Sequence, residues 1–114
     1  MRIKGGVMTK KRHKKILKQA KGYRDKRHNV WNLAKRAVMM AGKNAYIGRK
    51  LKKRDFRSLW ISRLSAALTT QGISYSRFIY ALTRKRVLLN RKMLSEMAIR
   101  EPSVFEEVVK LTKS

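Results

Sequence analysis

Residues 31–73 read WNLAKRAVMMAGKNAYIGRKLKKRDFRSLWISRLSAALTTQGI, and this stretch decides the fold. Trp31, Ala34, Val38, Ala41 and Ala45 recur at three- and four-residue spacing, and the stripe continues through Phe56, Trp60, Leu64, Ala67 and Leu68. No Pro interrupts it. Gly42 and Gly48 each cost only about 1 kcal/mol relative to Ala, so a single helix is predicted from about residue 26 to 71, capped by Asp25. At about 1.5 Å per residue such a helix is roughly 70 Å long, more than a globule of 114 residues needs, and part of it is expected to extend beyond the domain. Gln71-Gly72-Ile73 predicts its end as a Schellman stop with Gly72 at the left-handed position.

The pattern on either side is also helical, and no sustained alternation of apolar and polar residues predicts a strand. Upstream, Thr9 is placed to cap a short helix bearing Ile16, Leu17 and Ala20, which Gly22 would terminate. Downstream, Ser74 is placed to cap a helix with Phe78, Ile79 and Leu82, and Asn90 one with Met93, Leu94, Met97 and Ala98. After Pro102, Ser103-Val104-Phe105-Glu106 has the form of a capping box ahead of Phe105, Val108 and Val109. The fold class is all-α: a long basic N-terminal helical extension, residues 1–57, followed by a small C-terminal helical domain, residues 58–114. Trp60 is expected in the core of that domain, so that its loss would unfold it.

Charge separates the two parts. The chain carries 31 Lys+Arg against 6 Asp+Glu, a formal net charge of +25. Residues 1–60 hold 21 of those cations against Asp25 and Asp55 alone, whereas residues 61–114 hold 10 against four Glu. Repulsion at this density opposes compaction and calls for an anionic partner, nucleic acid first among them. The first half is therefore expected to order fully only on a polyanion.

Catalytic chemistry is not visible. There is no Cys, which excludes disulfides, thiolate metal sites and Cys nucleophiles. His13 and His28 stand among Lys and Arg, where a dication would be repelled and the three or four ligands it needs are missing. Stacking on a partner, hydrogen bonding or solvent exposure accounts for both imidazoles. Glu96, Glu101, Glu106 and Glu107 read as capping and pairing groups rather than an acid/base pair. Gly5-Gly6 lacks the spacing of a phosphate loop and reads as a flexible start. No cofactor, no metal site and no enzyme activity are expected. The longest unbroken aliphatic run, residues 37–41, is far short of a membrane span, and the basic N-terminus lacks the apolar core of a secretory signal.

The informative cluster is Arg49, Lys50, Lys52, Lys53, Arg54 and Arg57, with Tyr46, Phe56 and Trp60 interleaved. Neighbouring positions point to different sides of a helix, so these cations surround it, as passage between phosphate backbones requires. A merely solvated face mixes signs; here Asp55 alone breaks the run. Phe56, Trp60 and Phe78 fall on apolar faces and are expected to pack in the core, whereas Tyr23, Tyr46 and Tyr75 are open to either stacking on bases or packing. Met39, Met40, Met93 and Met97 read as core fillers or contact residues. Two rivals remain at this point. One is an architectural DNA-binding protein, which charge and helicity permit; the other is a basic amphipathic helix on a membrane surface, which the capped C-terminal half argues against.

Three segments carry a resemblance. Lys53-Arg54-Asp55-Phe56-Arg57-Ser58-Leu59-Trp60-Ile61-Ser62-Arg63, Gly72-Ile73-Ser74-Tyr75-Ser76-Arg77-Phe78-Ile79 and Leu89-Asn90-Arg91-Lys92-Met93-Leu94 resemble, in order, bacterial ribosomal protein twenty of the large subunit. Arg12-His13-Lys14-Lys15 and Ala20-Lys21-Gly22-Tyr23-Arg24 resemble the basic tail of the same family. The resemblance implies a structural protein that binds large-subunit (23S-type) ribosomal RNA directly, promotes early assembly of that subunit and takes no part in peptide-bond chemistry. It implies neighbouring ribosomal proteins as partners, no membrane, no homo-oligomer, and a place in a cytoplasmic or organelle ribosome. Some members of that family also repress translation of their own messenger RNA.

Carried over by motif, the expected RNA contacts are Lys10, Lys11, Arg12, His13, Lys14, Lys15, Lys21, Tyr23 and Arg24 in the tail. Arg49, Lys50, Lys52, Lys53, Arg54 and Arg57 follow in the cluster, and Arg63, Ser74, Ser76 and Arg77 in the C-terminal domain. Residues 1–57 would then be an RNA-penetrating extension and residues 58–114 an RNA-binding domain. Gly5 and Ile47-Gly48 depart from the more basic residues of the family pattern.

Overall fold

A computed structural model describes residues 4–113; Met1, Arg2, Ile3 and Ser114 lie outside the described residues. The elements are α1 (Gly6–Gln19), a 3-10 turn (Asp25–Arg27), α2 (Trp31–Thr70), α3 (Tyr75–Arg84), α4 (Arg91–Arg100) and α5 (Pro102–Lys113). The chain divides into two compact units, Met1–Lys50 and Leu51–Ser114. No described helix is long and apolar enough to cross a membrane.

In the first unit α1 begins earlier than Thr9 predicts. Gly5 is the cap residue in a left-handed conformation, φ +74°, and the Thr9 amide donates to its carbonyl at 3.2 Å. A Cβ at Gly5 would sit 2.7 Å from the Thr9 hydroxyl, so both the backbone angle and the space favour glycine here. Gly5-Gly6 is thus a helix start rather than a loose end. The helix closes at Gln19, and Gly22 supplies the left-handed turn, φ +87°, as expected. His13 stacks on Trp31 with centroids 4.5 Å apart, tying α1 to the start of α2. Ala20 and Ala34 are the buried hydrophobic residues of this unit, with Ile16, Leu17, Tyr23, Ala37 and Val38 half-buried.

Helix α2 runs 40 residues without a break at Gly42 or Gly48. It starts at Trp31 and not near residue 26, because Asp25 opens a 3-10 turn at φ +57° instead of capping the long helix. The Asp25 carbonyl accepts from His28 Nδ1, which holds that turn.

In the second unit Leu64 and Leu68, from the last turns of α2, share one core with Phe78 and Leu82 of α3, Leu94 of α4, and Phe105 and Val109 of α5. Burying each such side chain contributes about 1.5–3 kcal/mol, which is why this unit is built on them. The Phe78 and Phe105 rings meet at 5.9 Å and 54°, a tilted aromatic pair at the centre. The turn after α2 is a complete Schellman motif. Ile73 N–H reaches Leu68 C=O at 3.1 Å, Gly72 N–H reaches Thr69 C=O at 3.1 Å, and Gly72 has φ +72°.

Two of the expected caps take other forms. Ser74 is the cap residue of α3, but its hydroxyl makes no capping bond, whereas Asn90 Oδ1 accepts from Met93 N–H at 2.9 Å as expected. The capping box does not form, since α5 begins one residue earlier at Pro102, whose fixed φ and missing N–H suit a first helical position. Two core assignments also change. Phe56 is exposed, and Trp60 is half-buried and outside the core cluster; the apolar stripe meets other core side chains only from Leu64 onward.

Candidate nucleic-acid interface

The site is built from cations with nothing packed over them. On α1 the inward edge is apolar, so Lys10, Lys11, Arg12, Lys14 and Lys15 are left exposed, while His13 is half-buried by its stack on Trp31. Beyond the helix, Lys21 and Arg24 are exposed and Tyr23 half-buried. On α2 every residue from 41 to 59 is exposed, so Arg49, Lys50, Lys52, Lys53, Arg54 and Arg57 display their charge around the helix. Apolar residues share that exposure, with Tyr46 and Phe56 prominent. They are used locally: Lys50 Nζ lies 4.5 Å from the Tyr46 ring centroid and Lys52 Nζ 5.8 Å from that of Phe56, which itself leans on Trp60 at 6.2 Å. Such cation–π contacts position an ammonium without neutralising it. The cluster therefore meets an anion with its charge intact and some of its side chains already placed.

In the second unit Arg63, Ser74, Ser76 and Arg77 are all exposed. At 100° per residue, Ser76 and Arg77 lie opposite the buried Phe78 and Leu82 on α3, and that same outer face carries Tyr80, 67% exposed, and Arg84. Tyr80 and Arg84 were absent from the sequence-derived residues. The signal was available: Tyr80 sits off the apolar stripe, four residues after Ser76 and four before Arg84. Tyr75 takes the packing alternative, lying against the core with its hydroxyl accepting from Arg91 Nε at 2.8 Å.

Chemically, these surfaces can neutralise phosphates and stack on bases; the described residues bring together no group of three His, Asp or Glu able to hold a metal ion. Residues 2–108 match the sequence model of the family described as Ribosomal protein L20. The chain belongs to that family. As an L20 family member it is a structural ribosomal protein and not an enzyme. Among its relatives, the large ribosomal subunit protein bL20 of Caldanaerobacter subterraneus subsp. tengcongensis is 54% identical over 112 residues, 98% of this chain and 94% of that protein. Its namesake from Clostridioides difficile is 53% identical over 113 residues, 99% and 96% of the two chains. The bL20 of Mycoplasma pneumoniae is 54% identical over 114 residues, the whole of this chain and 90% of that protein.

Proposed function

We propose that this L20 family member is built into the large ribosomal subunit, where it binds 23S-type ribosomal RNA directly and promotes early assembly. The observation that carries the reading is the fully exposed stretch at residues 41–59, which places six clustered cations around one helix. Family membership supports the setting, a cytoplasmic ribosome with other ribosomal proteins as neighbours. In this reading residues 1–57 act as an extension among phosphates, releasing counterions, while residues 58–114 recognise the shape of a folded RNA junction. The tail cations from Lys10 to Arg24 and the cluster from Arg49 to Arg57 then supply affinity. Arg63, Ser74, Ser76 and Arg77 supply selection, with Tyr80 added to them.

The test compares the full chain with a fragment beginning at Ser58, each against folded large-subunit rRNA, an unrelated structured RNA and duplex DNA, at about 200 mM salt where non-specific binding is weak. Selection of the large-subunit RNA by both is the expected result. Equal affinity for all three would leave only a charge-driven binder and favour an architectural DNA-binding protein.

A further inference from the structure

Arg27 of the 3-10 turn and Leu33, Arg36, Ala37 and Met40 of the opening turns of α2 line an open-sided cleft of about 320 Å³ in the first unit. None of these five belongs to the phosphate-binding residues assigned above. Leu33, Ala37 and Met40 stand at i, i+4 and i+7, so they form one apolar stripe along the helix, and Arg36 borders it. Leu33 is 40% and Met40 55% exposed, so no side chain of the protein covers the stripe. Phosphate binding alone has no use for an apolar floor.

The chemistry of the walls limits what can enter. Residues 1–50 contain Asp25 as their single carboxylate against 17 Lys+Arg. An apolar protein side chain entering the cleft would displace water from two guanidiniums and bring no anion to pair with them, which is costly. A nucleotide carries an apolar ring face and a phosphate on one covalent frame. Arginine planes also stack on bases, and the Met thioether makes favourable contacts with aromatic rings.

We infer that the cleft receives one unstacked nucleotide of the RNA, its base against Leu33, Ala37 and Met40 and its phosphate held by Arg27 and Arg36. This rests on the rRNA-binding reading above and adds a base-recognising site to an extension otherwise devoted to backbone.

The experiment uses the full chain and folded large-subunit rRNA, with salt titrations and base-specific chemical probing of the complexes. Ala37→Leu fills the cleft without touching charge, and Arg36→Lys keeps the charge but loses the planar fork. Each is expected to weaken binding on the order of tenfold with the salt slope unchanged, since no phosphate charge is released. Probing is expected to show one base protected by the wild-type chain and reactive again with Ala37→Leu. Arg36 is exposed, so its replacement leaves the fold in place even if a larger residue 37 disturbs packing. Wild-type affinity and an unchanged protection pattern for both variants would overturn the inference while leaving the rRNA-binding reading intact. Failure of the wild-type chain to bind the RNA would overturn both. Unchanged RNA binding with impaired incorporation into the subunit would assign the cleft to a protein side chain and overturn it as well.

Discussion

Arg86 is a non-glycine residue at φ +56°, and it ends α3 as Gly72 ends α2. Val87 N–H reaches Leu82 C=O at 3.0 Å and Arg86 N–H reaches Thr83 C=O at 3.1 Å, a second Schellman motif. A side chain in the left-handed region costs roughly 1–2 kcal/mol, only part of which glycine returns through its looser unfolded state. Arg86→Gly is therefore expected to stabilise the protein by up to about 1 kcal/mol, read as a higher midpoint in urea. An unchanged or lower midpoint would show that the Arg86 side chain makes a compensating contact. This stop was not legible in the sequence, because the usual marker is Gly and here an Arg fills the position. Phe78 and Trp60 give the second case at this scale. Phe78 has no exposed surface and meets Phe105, so Phe78→Ala is expected to cost about 3–5 kcal/mol, whereas Trp60→Ala, half-buried outside the core cluster, should cost clearly less. Thermal melts of the two variants decide the order. Spacing placed both aromatics on apolar faces; only packing separates a face that meets other core side chains from one that does not.

Helix α2 shows how far periodicity carries and where it stops. Its existence and its end at the Gly72 motif were both legible, since the apolar recurrence is long and the Gln71-Gly72-Ile73 signal is specific. Its start was misplaced by five residues, because an Asp that favours a cap also favours a left-handed turn, and at Asp25 the turn prevails. The same competition moved the starts of α1 and α5, where Gly5 and Pro102 took precedence over Thr9 and Ser103. Within α2, Gly42 and Gly48 have helical backbone, and a Cβ at either would meet nothing within 4 Å. Gly42→Ala and Gly48→Ala are expected to raise helix content and to stabilise α2 by about 1 kcal/mol each, measured by circular dichroism on heating. A simultaneous drop in RNA affinity would mean that phosphates approach the helix backbone at these positions, which the side-chain-free surface permits.

The two units differ in what holds them. Residues 51–114 share a core of seven buried side chains drawn from four helices. Residues 1–50 bury two alanines and rely on the His13–Trp31 stack while concentrating positive charge. Stability and charge are thus assigned to different parts of the molecule. Replacing Arg54 and Arg57 together by Ala is expected to flatten the plot of log affinity against log salt by up to about 0.9 per lost phosphate contact, and to leave the thermal midpoint unchanged because both side chains are exposed. An unaltered slope in a salt titration on large-subunit rRNA would remove these two residues from the interface. Most expected contacts proved to be exposed cations, since charge of this density has nowhere else to go; Tyr80, Arg84 and the Arg27–Arg36 cleft were missed because their significance depends on which neighbours cover them. The sequence by itself determined the helical class, the long basic helix, the stop at Gly72, the identity of the apolar stripes and the need for a polyanion, all of which follow from local spacing and summed charge. The tertiary structure alone decided which parts of a stripe are buried, which residue takes a left-handed turn and where two arginines border an apolar floor, because burial and backbone strain arise from contacts between segments distant in the chain.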